Sequence, residues 1–267
     1  MIRLDAIAQK NRQYWTRAAA SGSRYTRPWL ELDAATVRAF ADGAIPMLPE
    51  PCRYVYPASL FANVAGMRVL CLAASGGQQS VVFGLLGARV TVLDLTEAQL
   101  AADREAAAHH GCQIATELGD MRDLSRFGDG TFDLVYQAIS ICFVPDVRVV
   151  YREVARVLGA GGLYRVEHCN PATELLDERS WNGQGYLLGG PYIPGPLPDD
   201  EVSEFRHSLS DVFNGLIETG FVIRGVWEDP RHLHHDPAAV PGTEDHMLSC
   251  APMYFAVLGE KPGAQAR

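Results

Sequence analysis

The chain has 267 residues, of which 48% are apolar and 21% charged, and its formal net charge is −9. These values are typical of a globular α/β domain, and the acidic balance argues against a nucleic-acid partner, which needs a basic surface. No apolar run approaches the roughly 20 residues of a membrane-spanning helix. The only lysines are Lys10 and Lys261. A P-loop, a Schiff-base lysine and a pyridoxal phosphate site are therefore improbable, because each needs a lysine at a structured position.

The N-terminus and the cysteines favour a cytoplasmic location. The first ten residues carry Asp5 and polar side chains where a signal peptide would carry an apolar stretch. The six cysteines form no CxxC pair, so we expect no disulfide framework. We further expect a monomer or homodimer that acts on a small molecule, without a nucleic-acid or membrane partner.

Residues 67–166 alternate short apolar runs with helical patterns. This alternation is typical of βαβ units on a parallel sheet. The strands that it predicts are Met67–Ala73, Val90–Asp94, Gln113–Leu118, Phe132–Gln137 and Leu163–Glu167.

Three helices are predicted between these strands. The first covers Gln79–Leu86. The second begins with Thr96 and Gln99 at the spacing of a capping box and ends near Gly111. The third follows Asp146 and is amphipathic. The apolar residues on its one face are Val150, Val154, Val157 and Leu158.

Residues 168–207 interrupt the pattern, since they are rich in proline, glycine and tyrosine and show little periodicity. A loop of this length inside a compact domain is usually functional or mobile. We therefore divide the chain into an N-terminal helical lid segment, 1–60, and a core, 61–260, with a substrate-loop insertion at about 168–207. The elements predicted after the insertion are a helix from Ser210 to Thr219 and two strands, Phe221–Trp227 and Met253–Gly259.

A tight turn, Ala73–Gln79, follows the first predicted strand. Its glycine and serine residues allow the backbone to approach a ligand closely, although it lacks the GxGxxG spacing of dinucleotide-binding proteins. Asp94 ends the second strand beside the turn, where a carboxylate can accept hydrogen bonds from both ribose hydroxyls of an adenosine. Asp120 follows the third strand, where it can accept from the exocyclic amine of adenine while Met121 covers the ring.

Five segments carry a family resemblance: Val69–Gln79, Val90–Thr96, Gly119–Asp123, Phe132–Val135 and Glu153–Gly162. Together they resemble the class I S-adenosyl-L-methionine (SAM)-dependent methyltransferases. The resemblance implies a Rossmann-like α/β fold whose seven-stranded sheet is mostly parallel, with helices on both faces and the last strand antiparallel. It also implies SAM as the cofactor.

The chain departs from this family at the turn. Most members carry an acidic residue where Cys71 stands and glycines in place of Ala73 and Ser75, so we expect Gln78 and Gln79 to supply polar contacts. The predicted cofactor contacts are Ala73, Ser75 and Gly77 at the methionine end, Asp94 at the ribose, and Asp120 and Met121 at the adenine, with Gln78, Gln79, Leu95 and Gln137 beside them.

The acceptor is expected at the carboxyl ends of strands four and five, under the aromatic N-terminal segment. Methyl transfer is an in-line displacement in which the enzyme mainly aligns the acceptor and excludes water. A base is needed only if the acceptor loses a proton. His168 and His207 are the predicted catalytic candidates, since a neutral imidazole accepts a proton near pH 7. The predicted acceptor contacts are Tyr14, Trp15, Tyr25, Trp29, Ser140, Asn170 and Tyr192.

A histidine-rich segment, Arg231–Pro237, with His246 downstream, could suggest a metal site. Its spacing matches no zinc template, so we predict no metal and expect a solvated loop or a lid. The predicted function is SAM-dependent methyl transfer to a nitrogen, oxygen or carbon atom of a small molecule. A non-catalytic SAM-binding protein or activating subunit is the alternative that the altered turn favours. A nicotinamide-dependent oxidoreductase is a weaker alternative, since the expected motifs are missing.

Overall fold

A mixed sheet of seven strands forms the centre of the computed structural model, which describes residues 4–232 and 236–263. The strands are β1 (Arg68–Leu72), β2 (Arg89–Asp94), β3 (Ile114–Leu118), β4 (Phe132–Gln137), β5 (Leu158–Cys169), β6 (Val222–Glu228) and β7 (Tyr254–Glu260). The helices are α1 (Ala6–Ala20), α2 (Ala34–Ala41), α3 (Gln79–Leu85), α4 (Glu97–His110), α5 (Val147–Val157), α6 (Leu209–Glu218) and α7 (Glu244–Cys250). None of the described helices is long and apolar enough to cross a membrane.

The strand order is β3-β2-β1-β4-β5-β7-β6. Strands β1 to β5 pair in parallel, and β7 pairs antiparallel with both β5 and β6. The predicted fold class, a Rossmann-like and mostly parallel sheet with its last strand antiparallel, is therefore confirmed. The order reverses between β1 and β4, and sheets of this kind bind ligands in the crevice outside the carboxyl ends of the strands at such a reversal.

Two apolar layers cover the sheet because side chains along a buried strand alternate between its faces. In β1, Val69 and Cys71 join the layer under α2, α3 and α4. Leu70 and Leu72 join the layer under α5 and α6. The apolar face predicted for α5 is buried in that second layer.

Two predicted boundaries shift for identifiable reasons. Helix α6 begins one residue before Ser210, because Ser208 is its N-cap and exchanges hydrogen bonds with Asp211. Strand β5 begins before the double glycine, because Gly161 and Gly162 both bond to the backbone of Lys261 beyond β7.

The predicted capping box of α4 forms only in part. The Thr96 hydroxyl accepts from the backbone amide of Gln99, as predicted. The amide of Thr96 donates instead to Asp94 Oδ1 at 2.8 Å, so the Gln99 side chain does not close the box.

The N-terminal segment and the insertion lie against each other. The Asn11 side chain accepts from the amide of Ser203 and donates to its carbonyl, and Lys10 donates to the carbonyl of Asp199. Within the insertion, Gly195–Pro196 and Phe205–Arg206 form a short antiparallel ladder. The insertion therefore holds α1 in place from outside.

Candidate active site

The turn after β1 is held in an uncommon backbone conformation. Ala73, Ser75, Gly76 and Gly77 have φ values of 46°, 56°, 51° and 74°. For Ala73 and Ser75 this left-handed conformation costs of order 1 kcal/mol or more, and such strain is found most often at functional sites. The chain therefore keeps a glycine-like turn at two positions that carry a side chain.

The two glycines of the turn are required by α4. A Cβ added to Gly77 would lie 2.6 Å from the carbonyl oxygen of Ala102, and a Cβ added to Gly76 would collide with the Gln99 side chain. Gly77 lines neither the first nor the second cavity defined below, and its backbone lies directly against α4.

Asp103 of α4 anchors the turn from behind. Its Oδ1 accepts from the amide of Gly77 at 2.8 Å and from the Ser80 hydroxyl at 2.5 Å. Its Oδ2 is buried and has no hydrogen-bond partner in the described part of the chain. Burial raises the pKa of this carboxyl to about 7. Cys71, which stands where the resemblance implies an acidic residue, is a buried thiol. The carboxyl group that holds the turn comes instead from α4.

A first cavity opens between the turn, the ends of β2 and β3, and the inner face of α1. Its floor and walls are polar at the strand ends and apolar under the helix. We define it by Ala8, Asn11, Trp15, Ala73, Ser75, Asp94, Leu95, Asp120, Met121, Ile139 and Ser140.

Asp94 is the buried acid of the first cavity. Its Oδ1 accepts from the amide and the hydroxyl of Thr96 at 2.8 and 3.0 Å. Neither of these bonds uses Oδ2. Burial raises the pKa of Asp94 to about 6, because the described residues place no cation against it. A ligand that brings hydroxyl donors to this carboxylate would relieve the cost of its burial.

Asp120 is already paired at the rim of the same cavity. The Arg122 guanidinium donates to both of its oxygens and also to both oxygens of Asp5, the N-cap of α1. Hydrogen bonds from Arg122 lower the pKa of Asp5 to about 2. This chain of charges attaches the start of α1 to the edge of the first cavity.

Gln137 lies beneath the first cavity and does not line it. Its amide nitrogen donates to Met121 Sδ at 3.2 Å and to Ser140 Oγ at 3.1 Å, and its oxygen accepts from the Tyr164 hydroxyl. Gln137 therefore positions two residues that do line the cavity.

Helix α1 forms the roof of the first cavity. Trp15 packs edge-to-face on Phe143 with ring centroids 5.5 Å apart. Tyr14 packs on Trp15 from the side and lines neither cavity. Trp15 and Ser140 were both predicted to contact the acceptor. Both line the first cavity, where the cofactor is expected.

A second cavity of about 170 Å³ adjoins the first. Ser75 and Ile139 line both. Its volume is comparable to the roughly 150 Å³ cavity that accepts a benzene ring. We define the second cavity by Tyr25, Trp29, Tyr54, Ser75, Gln78, Gln79, Ile139, Glu167, Arg231, His232, Glu244 and Tyr254.

Gln78 and Gln79 face this second cavity rather than the first. The Gln78 amide donates to the carbonyls of Arg24 and Arg27, which fixes the chain that carries Tyr25. Their position differs from the sequence-based expectation that both contact the cofactor. The reason is that the turn points its last two residues away from the strand ends of β2 and β3.

His168 and His207 lie outside both cavities. His168 points to the opposite face of the sheet, where it bonds the Tyr151 hydroxyl and stacks on Phe255. His207 bonds the carbonyl of Val144. Burial lowers the pKa of both. The two-residue period of β5 presents Glu167, and not His168, to the second cavity.

Asn170 and Tyr192 are also remote from the cavities. The Asn170 side chain bonds the carbonyl of Pro252 and the amide of Ala172, which shapes the chain after β5. Tyr192 is exposed, and its hydroxyl accepts from the amide of Leu209.

The outer wall of the second cavity comes from the start of the histidine-rich segment. Arg231 stacks over Tyr54 at 4.0 Å and pairs with the buried Asp229. His232 lines the cavity, and residues 233–235 lie outside the described part of the chain. Among the described residues, no group of three or more His, Cys, Asp or Glu is placed to hold a metal ion.

Comparisons with known proteins find relatives among the methyltransferases. Residues 70–166 match a family described as a methyltransferase domain. The chain is 34% identical to the uncharacterized methyltransferase YbaJ of Bacillus subtilis over 239 residues, which cover 85% of this chain and 92% of that protein. It is 30% identical to a ubiquinone biosynthesis O-methyltransferase of Xanthomonas euvesicatoria, with 67% of this chain and 73% of that protein covered.

Solved structures share the fold. A SAM-dependent methyltransferase of Mesorhizobium loti has a TM-score of 0.61 at 24% identity, covering 87% of this chain and 100% of its own. A 1,6-didemethyltoxoflavin-N1-methyltransferase of Burkholderia thailandensis, solved with bound 1,6-didemethyltoxoflavin and S-adenosylhomocysteine, has a TM-score of 0.60 at 14% identity, covering 98% of this chain and 93% of its own.

Asp103, which anchors the turn after β1, should make the stability of the folded protein depend on pH. Because the pKa of Asp103 rises from 3.8 to about 7 on folding, the folded state keeps its proton over a range where the unfolded state has lost it. Its contribution to stability is present below pH 4 and is lost as pH rises to 7, at up to about 1.4 kcal/mol per pH unit. Asp103→Asn keeps the oxygen that accepts from Gly77 and should lose less stability over this range.

Urea unfolding of both proteins between pH 4.5 and 7.5 measures this difference. Glu105→Gln, an exposed change on the same helix, is the control and should follow the wild type. A slope in Asp103→Asn equal to that of the wild type would contradict the assignment.

Proposed function

The chain belongs to the class I SAM-dependent methyltransferases, and on that premise we propose that it methylates a small molecule held in the second cavity. The observation that carries the proposal is the contact between the two cavities at Ser75 and Ile139. A cofactor in the first cavity and an acceptor in the second would meet at this point.

The residues of the first cavity fit SAM. Asp94 presents a carboxylate whose Oδ2 takes no part in the hydrogen bonds to Thr96, which suits the ribose hydroxyls. Asp120 and Met121 would border the adenine, and Ala73 and Ser75 the methionine end. When bound, SAM supplies a methyl group made electrophilic by its attachment to a positively charged sulfur.

The second cavity supports a small acceptor rather than a macromolecule. Its volume of about 170 Å³ is close to that of a cavity that accepts a benzene ring. Trp29 is buried in its wall, and Tyr25, Tyr54 and Tyr254 surround the remaining space. These side chains would exclude water and align the acceptor, which is the main contribution an enzyme makes to an in-line methyl transfer.

A label-transfer experiment tests the proposed function. The protein is incubated with SAM labelled in its methyl group and with a cell extract separated into fractions below and above about 1 kDa. We expect label in the small-molecule fraction. Label found only in protein or nucleic acid would contradict a small acceptor, and the absence of transfer from a SAM-bound protein would contradict turnover.

The role of Asp94 predicts a pH-dependent affinity. Ribose hydroxyls donate to the ionised carboxylate, and its pKa of about 6 in the free protein means that ligand affinity should rise between pH 5 and 7. Asp94→Asn should weaken S-adenosylhomocysteine binding roughly 10- to 150-fold at pH 7.5 and remove the pH dependence near pH 6. Isothermal titration measures both, with Glu105→Gln as the control. If Asp94→Asn bound this ligand as tightly as the wild type does, the role of the carboxylate would be refuted.

The position of Trp15 in the roof of the first cavity predicts an effect on the affinity for S-adenosylhomocysteine. Trp15→Ala removes the apolar surface that α1 lays over the first cavity. We expect S-adenosylhomocysteine to bind about 5- to 50-fold more weakly, because part of the ligand would return to water. The exposed neighbour Gln13 gives the control Gln13→Ala, which should bind normally. Equal binding by the two variants would mean that α1 does not cover the ligand.

A further inference from the structure

Strand β5 carries two charged residues in the interior of the protein. Arg165 is fully buried and Glu167 is 4% exposed. Taking two charges out of water is unfavourable unless hydrogen bonds satisfy them, and apolar residues of similar volume would often be at least as stable. The pair therefore calls for a reason beyond stability.

Two of the three guanidinium nitrogens of Arg165, Nε and Nη1, donate hydrogen bonds within the protein, and the buried Nη2 has no hydrogen-bond partner in the described part of the chain. Its guanidinium lies between the rings of Tyr56 and Tyr136, 4.7 Å from each centroid. It donates to the carbonyls of Tyr56 and Gln137 and, at 3.1 Å, to Glu167 Oε2. Arg165 thus fixes the position of the carboxylate and neutralises its charge without reaching a ligand itself.

Glu167 retains hydrogen-bonding capacity. Its Oε1 accepts from the Tyr56 hydroxyl at 2.7 Å. Burial, and then the charge of Glu167, raise the pKa of Tyr56 well above 10, so this hydroxyl stays protonated and acts as the donor. Each carboxylate oxygen can accept two hydrogen bonds. One acceptor position on each oxygen is left, and the side chain lines the second cavity.

The strand register places this carboxylate near the meeting point of the cavities. Gln137 pairs with Val166, so Glu167 lies beside the chain that continues from β4 through Ala138 to Ile139. Ile139 lines both cavities. The acceptor end of a ligand in the second cavity would therefore lie next to Glu167.

Gln79 is the second polar group of this wall. It is 4% exposed, and its buried Oε1 has no hydrogen-bond partner in the described part of the chain. Buried polar groups in native proteins are nearly always hydrogen-bonded, so an orphan that lines a cavity points to a ligand group. Glu167 and Gln79 thus both retain hydrogen-bond acceptor capacity in the wall of the second cavity.

We propose, as an extension that rests on the proposed function, that the acceptor is a planar molecule whose nucleophilic oxygen or nitrogen carries a proton, and that Glu167 binds this proton. The lone pair of that atom forms the new bond to the methyl carbon while the carbon–sulfur bond breaks and its electron pair stays on sulfur. The proton passes to Glu167 and then to solvent. Gln79 acts as a positioning residue that hydrogen-bonds the same end of the acceptor.

Matched pairs of small probes test this assignment by binding. Phenol and anisole, indole and 1-methylindole, and 2-pyridone and 1-methyl-2-pyridone differ by the donor hydrogen. Their affinities for the protein saturated with S-adenosylhomocysteine are measured by ligand-observed NMR. We expect the donor-bearing member of at least one pair to bind about 5- to 150-fold more tightly. Equal binding within every pair, or binding of neither member of any pair, overturns the proposal.

Variants separate the two residues from general effects. Glu167→Gln should abolish the preference for the donor-bearing probe while S-adenosylhomocysteine still binds. Glu174→Gln changes another largely buried carboxyl that pairs with an arginine, Arg206, outside both cavities, and should keep the preference. A preference that survives in Glu167→Gln overturns the role of the carboxylate.

Gln79→Met provides a test that does not depend on the folding of Glu167→Gln. Because the Gln79 oxygen has no partner in the described chain, the apolar replacement should leave the melting temperature unchanged or raise it, and should reduce the preference for the donor. A lowered melting temperature with an unchanged preference would mark Gln79 as purely structural and would contradict its positioning role.

Label transfer distinguishes failure of this inference from failure of the proposed function. Transfer to small molecules that lack an N–H or O–H group, such as tertiary amines or thioethers, would overturn the inference and leave the proposed function intact. No transfer to any small molecule would overturn both.

Discussion

The contact between α4 and the turn after β1 is the constraint on which both cavities depend. Gly77 has no room for a side chain because the helix backbone lies against it. Asp103 of the same helix fixes the turn by accepting from Gly77 and Ser80. Since Ser75 lines both cavities, any movement of α4 would change the place where the two meet. The helix is therefore part of the site although it contributes little of its surface.

Four carboxylates of the described chain are buried near the carboxyl edge of the sheet, and they are compensated differently. Asp229 pairs with Arg231. Glu167 has a guanidinium and a phenol as donors. Asp103 has an amide and a hydroxyl, and Asp94 has the same pair of donor types from one residue. The two without a cation have raised pKa values. A site with such carboxylates is prepared to receive hydrogen-bond donors, because its own chain leaves acceptor capacity unused.

The N-terminal segment completes this arrangement from outside the sheet. Helix α1 reaches the first cavity through Asn11 and Trp15, and the residues after it reach the second through Tyr25 and Trp29. The Asp5–Arg122–Asp120 contacts fix one end of the helix, and the insertion fixes its outer side. One continuous stretch of chain therefore covers both cavities.

The sequence by itself determined the sheet, its strand ends and the positions of Asp94, Asp120 and Met121, because alternating apolar runs and helix caps are local signals. Only the tertiary structure decided which face each site residue occupies. A one-residue difference separates Glu167 in the second cavity from His168 on the opposite face, and that phase follows from how β5 packs between β4 and β7. The signal that could have identified Glu167 was the presence of two charged residues, Arg165 and Glu167, in a strand predicted to be buried. Asp103 had none, because its role depends on a contact with a turn 26 residues away in sequence.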